Sequence, residues 1–318
     1  MIKIALAGDT MLGRGVAERL GSEAPEDLFS DEVRSFAREA DLFVLNLECC
    51  ISERGERWPD PYKPFFFRAP PAAIETLRYL GVHAVTLANN HALDYGQEAL
   101  RDTLEHLQAA RIGCCGAGET EGAARRPLRL SSGTISVDVI GVTDHPEEYA
   151  AAEDRPGVAY ADLRSGTPEW LVEMIGSSDA DVVLVTPHWG PNMTASPREH
   201  VRRAAATFVD AGAGLIAGHS AHVFQGVEGR ILYDLGDFID DYAVDPVLRN
   251  DLGLLFRVTM EEGRVSEVEG LPLMLDYCFT RPATGDDLDW VLRRFVDACR
   301  EFGTEVARVD GRVIVRMN

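Results

Sequence analysis

Two histidines stand within four residues in Gly218-His219-Ser220-Ala221-His222, directly after the apolar run 213–217. That run reads as a buried strand, and the glycine lets the chain turn sharply. Imidazole is the commonest side-chain ligand of a catalytic divalent metal. A lone histidine is more often structural, but a pair just past a strand end suits a metal shell as well as a packed turn. Four other apolar runs end in similar chemistry. Asp9 follows 2–7, Asn46 and Glu48 close 41–47, Asn90 and His91 follow 82–88, and His188 follows 181–186. Taken singly, Asp9 could be a helix N-cap and Glu48 a surface residue. Together they place two carboxylates, an amide oxygen and up to four imidazoles on one edge of a sheet, where α/β proteins bind ligands. That is enough for two divalent ions sharing a bridging carboxylate. Mn, Zn, Fe, Mg and Ca all remain open as the cofactor.

The elements that must position these groups alternate. Helices are predicted over 31–40, from Pro70-Pro71 to Tyr79, over 97–110 and over about 197–211. Further strands are read at 63–68 (an edge strand), 112–116 and 135–143. Residues 52–64 form a polar, proline-rich loop, and the acidic stretch 144–168 suits a lid. Past His222 strands dominate: 223–227, 231–235, 254–260 and 265–273, before a helix over 286–301 and a last strand over 312–317. The order predicts a mixed, layered α/β fold. No repeat or linker divides it, so one domain is expected over 1–318, with a core of 1–260 and an extension of 261–318.

Composition limits the partners. The 318 residues are 46% hydrophobic and 26% charged, with a formal net charge of −21. Such a surface repels nucleic acid and anionic membranes, because phosphate binding needs clustered Lys and Arg. Lys3 and Lys63 are the only lysines, which singles out Lys63. Six cysteines include the adjacent pairs Cys49-Cys50 and Cys114-Cys115, which match neither zinc spacing nor a disulfide framework. Reduced thiols are expected. No run approaches the roughly 20 apolar residues of a membrane helix, and the N-terminus holds no signal segment. A soluble, cytoplasmic protein of open oligomeric state follows.

The stretches GDTMLGR, NLE, LANNHALDYG, HWG, GHSAHVFQGVE and ILYDLGDF resemble the capsule-synthesis (CapA) family, over roughly residues 1–260. That family resembles the calcineurin-like metallophosphoesterases. The resemblance implies a metallophosphatase-like four-layer αββα sandwich with two mixed sheets. It implies Asp9 on one metal, Glu48 in the bridging position, and Asn90 and His188 on the second metal. His219 and His222 would complete the shells, and His91 would be the acid beside them. Two departures stand out. Phosphoesterases usually begin Asp-x-His, but the third position here is Met11. Their last motif is usually Gly-His-x-His, but two residues separate His219 from His222. The first metal position therefore has fewer ligands, or different ones, and one tightly held ion is an alternative to two.

The family's tie to poly-γ-glutamate suggests a peptide or polyglutamate-like substrate, with no nucleic acid and no membrane as partner. Arg14, Lys63, Arg68 and Tyr95 lie in matching stretches, and Trp189 adjoins His188. Lys63 and Arg68 are expected to hold a substrate carboxylate, because an acidic protein needs local positive charge to bind an anion. Three functions compete. The first is hydrolysis of an amide or phosphate ester by metal-activated water, with His91 protonating the leaving group. The second is metal-assisted inversion of a peptide Cα, with Asp9 and either His91 or His219 as opposed proton carriers. The third is a non-catalytic scaffold of a polymer-making complex, in which a metal would be closed by four ligands.

Overall fold

The computed structural model describes residues 1–22 and 24–317. Its frame is two mixed sheets packed face to face. The larger runs in the order 307–309, 312–316, 264–276, 252–261, 2–10, 42–47, 84–86 and 113–115. Its strands Ile2–Thr10, Leu42–Leu47, Ala84–Thr86 and Gly113–Cys115 are mutually parallel, and the flank beginning with Leu252–Glu261 is antiparallel. The smaller sheet runs 227–228, 231–232, 215–217, 182–188, 135–143 and 128–132, parallel at its centre and antiparallel at both edges.

Strand alternation separates three apolar layers. Ile4 and Leu6 of the first strand, Val44 of the second, and Val139 and Leu184 of the smaller sheet meet between the sheets. Ala5, Ala7, Phe43 and Leu45 face outward onto the helices Asp31–Arg38, Ala73–Leu80 and Gly96–Ala110. On the far side, Val183 and Val185 meet Leu171 and Ile175 of the helix Glu169–Gly176, and Phe208 of Glu199–Ala211. Each buried Val, Leu, Ile or Phe among them contributes about 1.5–3 kcal/mol. The result is the four-layer αββα sandwich that the family resemblance implies.

Residues 261–317 continue this architecture. Arg264–Asp276 and Arg312–Arg316 extend the larger sheet, and the helix Gly285–Arg300 sends Val291, Leu292 and Phe295 into the layer between the sheets.

Several local expectations change. The five strand ends come from two sheets, not one: Ile2–Thr10, Leu42–Leu47 and Ala84–Thr86 from the larger, Val182–His188 and Leu215–Ala217 from the smaller. A bridge between His188 and His219 aligns the latter two ends. The run 63–68 is a loop with only Arg68–Ala69 paired, because Pro64 interrupts the backbone donors. The strands read at 223–227 and 231–235 shrink to Val227–Glu228 and Ile231–Leu232, the rest being buried loop. The stretch 144–168 is no open lid. Gly157–Val158 pairs with Ala117–Gly118, and Tyr149, Val158 and Leu163 are buried.

Candidate metal centre

Asp9 is aimed by a fault in its own strand. Ala7 faces Leu45 but Asp9 faces Asn46, so Gly8 is the extra residue of a bulge. A Cβ on Gly8 would lie 1.7 Å from the Gly236 carbonyl oxygen, so only glycine lets the segment 235–237 approach so closely. On that other side Asp9 is in register with Asp237, which opens the parallel strand Asp237–Ile239. Asp9, Asn46 and Asp237 are thus lateral neighbours. Asn46 Nδ2 donates to Asp9 Oδ1 at 2.7 Å, and the Ser220 N–H donates to Asp9 Oδ2 at 3.3 Å. Asn89 fixes Asn46 in turn, donating from Nδ2 to its Oδ1 at 2.9 Å.

The turn after Leu215–Ala217 is equally constrained. A Cβ on Gly218 would sit 2.1 Å from the Tyr233 carbonyl oxygen. Ser220 and His222 hold φ of 106° and 59°, a left-handed region costly for residues with side chains. That conformation carries the His222 ring to the carboxylates. Its Nδ1 lies 2.8 Å from Asp237 Oδ1, 3.4 Å from Asp9 Oδ2 and 4.0 Å from Glu48 Oε2.

Asp9, Glu48, His222 and Asp237 each offer a ligand atom, all within 4.8 Å of one another, and all four residues are buried. Two further imidazoles flank them. His188 Nε2 is 3.9 Å from Glu48 Oε1, and His219 Nδ1 is 3.6 Å from Asp9 Oδ1. Thr186 Oγ1 holds the other His219 nitrogen at 2.9 Å. Glu48 Oε1, Asp237 Oδ2, His188 Nδ1, His219 Nδ1 and Asn90 Oδ1 are buried without a hydrogen-bond partner. Buried polar atoms are seldom left so.

The electrostatics agree. Burial pushes the Glu48 carboxyl well above its usual range, and Asp9 pushes it further. Burial and then Asp240 do the same to Asp237. Burial drives His188 well below the ordinary histidine value, with His145 and His219 adding to it, and lowers His219 to about 4. His222 differs: burial pulls it down, but Glu48 and Asp9 outweigh burial and leave it raised. Carboxylates driven toward the neutral form, beside imidazoles kept neutral, are groups that a divalent cation would satisfy together. Three carboxylates and an imidazole form an oxygen-rich donor set that fits Mn, Fe, Zn, Mg or Ca.

Asp237 is not among the residues that the sequence singles out. A signal is present: Leu235-Gly236-Asp237 repeats the apolar-Gly-Asp ending of Ala7-Gly8-Asp9. Asp237 adds a carboxylate to a group whose motif lacks the usual second histidine. Met11, at that histidine's place, is buried and turned aside, with its sulfur accepting from the Gly13 N–H at 3.0 Å.

His91 lies beside this group. Its Nδ1 is 2.6 Å from Asp94 Oδ2, its ring stacks on Phe67 with centroids 4.0 Å apart, and it lines a cleft of about 310 Å³ shared with His222. Asp94 also receives the Phe67 N–H at 2.6 Å and the Tyr149 hydroxyl at 3.1 Å. Burial lowers the pKa of His91, only partly offset by Asp94, so the ring is neutral at pH 7. With Nδ1 committed to a carboxylate, Nε2 is left as the proton acceptor.

The residues expected to bind substrate separate. Arg14 lines the cleft. Lys63 does not hold a free charge for a substrate: its Nζ lies 3.0 Å from Asp94 Oδ1 and donates to the Asn90 carbonyl at 2.8 Å. Arg68 turns away onto Tyr95, its guanidinium carbon 4.0 Å from that ring's centre, and donates to the Arg54 carbonyl. Trp189 is core, stacked on Phe208, with Nε1 donating to the Tyr233 carbonyl at 3.0 Å. Its indole lies against Gly218 and is 3% exposed. Tyr242, also unforeseen, lines the cleft with its hydroxyl 3.5 Å from Glu48 Oε2.

The bacterial capsule synthesis protein family, PGA_cap, matches residues 3–242. The chain belongs to that family. A Mycobacterium tuberculosis protein named "Probable polyglutamine synthesis accessory protein" is 28% identical to this PGA_cap member, over 96% of this chain and 93% of its own length. The "PGA biosynthesis protein CapA" of Bacillus subtilis is 28% identical over 76% of this chain and 64% of its own length. A solved structure of a hypothetical protein from Thermus thermophilus superimposes with a TM-score of 0.50 at 16% identity, covering 86% of this chain and 100% of that one. That likeness is one of fold alone. Among the described residues of this PGA_cap member, no helix is long and apolar enough to cross a membrane.

Proposed function

We propose that this PGA_cap protein is a metal-dependent enzyme that hydrolyses an amide or phosphate ester in a peptide or polyglutamate-like substrate. The observation that carries this reading is the buried group of Asp9, Glu48, Asp237 and His222, with unpaired acceptors, beside a cleft lined by His91. Those four residues would hold one divalent ion. His188, His219 and Asn90 would hold a second next to the shared Glu48. When bound, such an ion supplies Lewis acidity that polarises a substrate oxygen and acidifies water.

The chain's own residues then manage the proton. Asp94 keeps the His91 proton on Nδ1, so Nε2 accepts a proton from water. As the water oxygen bonds to the carbonyl carbon and the C–N bond breaks, Nε2 returns that proton to the leaving nitrogen. For a phosphate ester the same proton goes to the leaving oxygen. Such acid–base transfer contributes typically 10²–10⁴-fold. Because His91 starts neutral, it acts as base before it acts as acid.

That neutral ring also favours a second reading, inversion of a peptide Cα. Nε2 would take the Cα proton, and Asp9 or His219 would return one from the opposite face. A scaffold role is less supported, because it gives the His91–Asp94 pair facing the cleft nothing to do. The six free cysteines support a cytoplasmic setting. Incubating short peptides and p-nitrophenyl phosphate with the Mn²⁺-supplemented protein in deuterated water tests all three. Cleavage supports hydrolysis, a gain of one deuteron without cleavage supports inversion, and neither, with intact metal binding, supports the scaffold.

A further inference from the structure

The cleft beside the metal centre is walled largely by apolar and aromatic side chains, and the Arg14 cation in its lining is paired with a carboxylate. Its walls are Phe65, Phe67, Met193, Tyr242 and Ala243, and its floor includes His91 and His222. Arg14 is the cationic side chain in that lining, and its charge is matched internally. Its Nη2 lies 3.0 Å from Asp241 Oδ1 and its Nε donates to Asp241 Oδ2 at 3.2 Å. The Asp241 side chain is 5% exposed and that of Arg14 36%, so the carboxylate is buried while the guanidinium reaches the solvent side of the cleft. The guanidinium is held among aromatic rings, 5.6 Å from the centres of Phe65 and Phe67 and 5.8 Å from Tyr242. Lys63 is matched by Asp94 in the same way. Around these pairs the protein carries a net charge of −21.

Phe65 points to what the cleft takes. It is 54% exposed at the cleft, and Val244, next in the chain to Ala243 of the lining, is 52% exposed. A cleft of about 310 Å³ is at the small end of ligand sites, the size for one large side chain and its backbone. Aromatic walls favour another aromatic ring through offset and edge contacts. We infer that this cleft binds an aromatic or large aliphatic side chain of an uncharged peptide segment, and places the adjoining backbone at His91 and the metal centre. The inference rests on the enzymatic reading above for the meaning of that placement, but the selectivity of the cleft stands on its lining alone. Asn192 and Asn250, also in the lining, offer neutral partners for peptide amides.

The test is calorimetric titration of the full chain with Mn²⁺, using three probes: N-acetyl-Gly-Phe-Gly-amide, N-acetyl-Gly-Glu-Gly-amide and a γ-glutamyl hexamer. The Phe peptide is expected to bind at least tenfold more tightly than either acidic probe. Phe65→Ala, at an exposed position where folding is not at stake, removes most of that preference. Asp241→Asn keeps an oxygen for the Gly15 N–H but leaves Arg14 unmatched, and shifts preference toward the Glu peptide. Equal binding of all three probes, no binding of the Phe peptide at millimolar concentration, or tighter binding of the hexamer that Arg14→Gln abolishes would each overturn the inference. Metal content is measured on the same samples. A Phe preference in protein that binds no metal would leave the inference standing and sink the metal-dependent reading.

Discussion

His222 Nδ1 sits 2.8 Å from Asp237 Oδ1, although one residue lies in the turn after a strand of the smaller sheet and the other opens a strand paired to the larger. The contact ties both sheets to one point. It places His222 among three buried carboxylates, Asp9, Glu48 and Asp237.

Asp237→Asn therefore tests whether the missing histidine of the first motif has been replaced by a carboxylate. Losing a mere outer partner of a metal ligand costs about 10–100-fold in affinity, and a direct ligand should cost at least that. Titration with Mn²⁺, followed by the rise in thermal midpoint, reads it. Unchanged affinity would remove Asp237 from the shell.

His188 and His91 should separate. If His188 is a ligand beside Glu48, as proposed, His188→Ala should lower metal content and turnover together. His91→Ala should keep its metal while turnover per bound ion falls by roughly 10²–10⁴-fold. If both variants lost metal equally, His91 would be a ligand and not the proton carrier.

Lys63→Ala examines a charge pair inside the fold. Asp94 would keep Tyr149 and the Phe67 N–H but lose its cation, at a cost of about 1–3 kcal/mol. Denaturant unfolding should show that loss, and Arg68→Ala, whose partner is a ring and a carbonyl, should cost less. A Lys63 variant of unchanged stability that binds acidic peptides more weakly would restore the carboxylate-binding role.

His83 gives a pH dependence away from the metal centre. Its Nδ1 accepts the Phe43 N–H at 3.0 Å, and partial desolvation of this surface ring lowers its pKa from 6.5. The unfolded chain then binds the proton more readily than the folded one, so stability rises with pH. His83's contribution is whole above about 6.5 and is lost as pH falls toward its lowered folded value. His83→Gln should therefore lose less stability than the parent between pH 7 and pH 5. Parallel curves would show that His83 is not strained by protonation.

The parts of the site that are legible in the sequence sit at the ends of long apolar runs. Asp9, Glu48, His188 and His219 each follow a run whose burial is dictated by composition, and strand direction does the rest. Asp237 is hidden because its strand is three residues long and its neighbour, Asp9, is reached only by a parallel pairing between distant segments. The burial of Trp189 is not legible, because an aromatic beside a histidine reads alike whether it faces the cleft or the core. The close approach of Gly218 decides that, and it belongs to tertiary packing. Lys63 and Arg68 read as free charges because their partners, Asp94 and Tyr95, lie across a loop whose path no periodicity foretells.

The most direct measurement is anomalous diffraction from crystals of the full chain grown with Mn²⁺. A peak enclosed by Asp9, Glu48, His222 and Asp237 is the predicted result, with any second peak between Glu48, His188 and His219. Density at that point explained by water alone, at millimolar Mn²⁺ and neutral pH, would contradict the account.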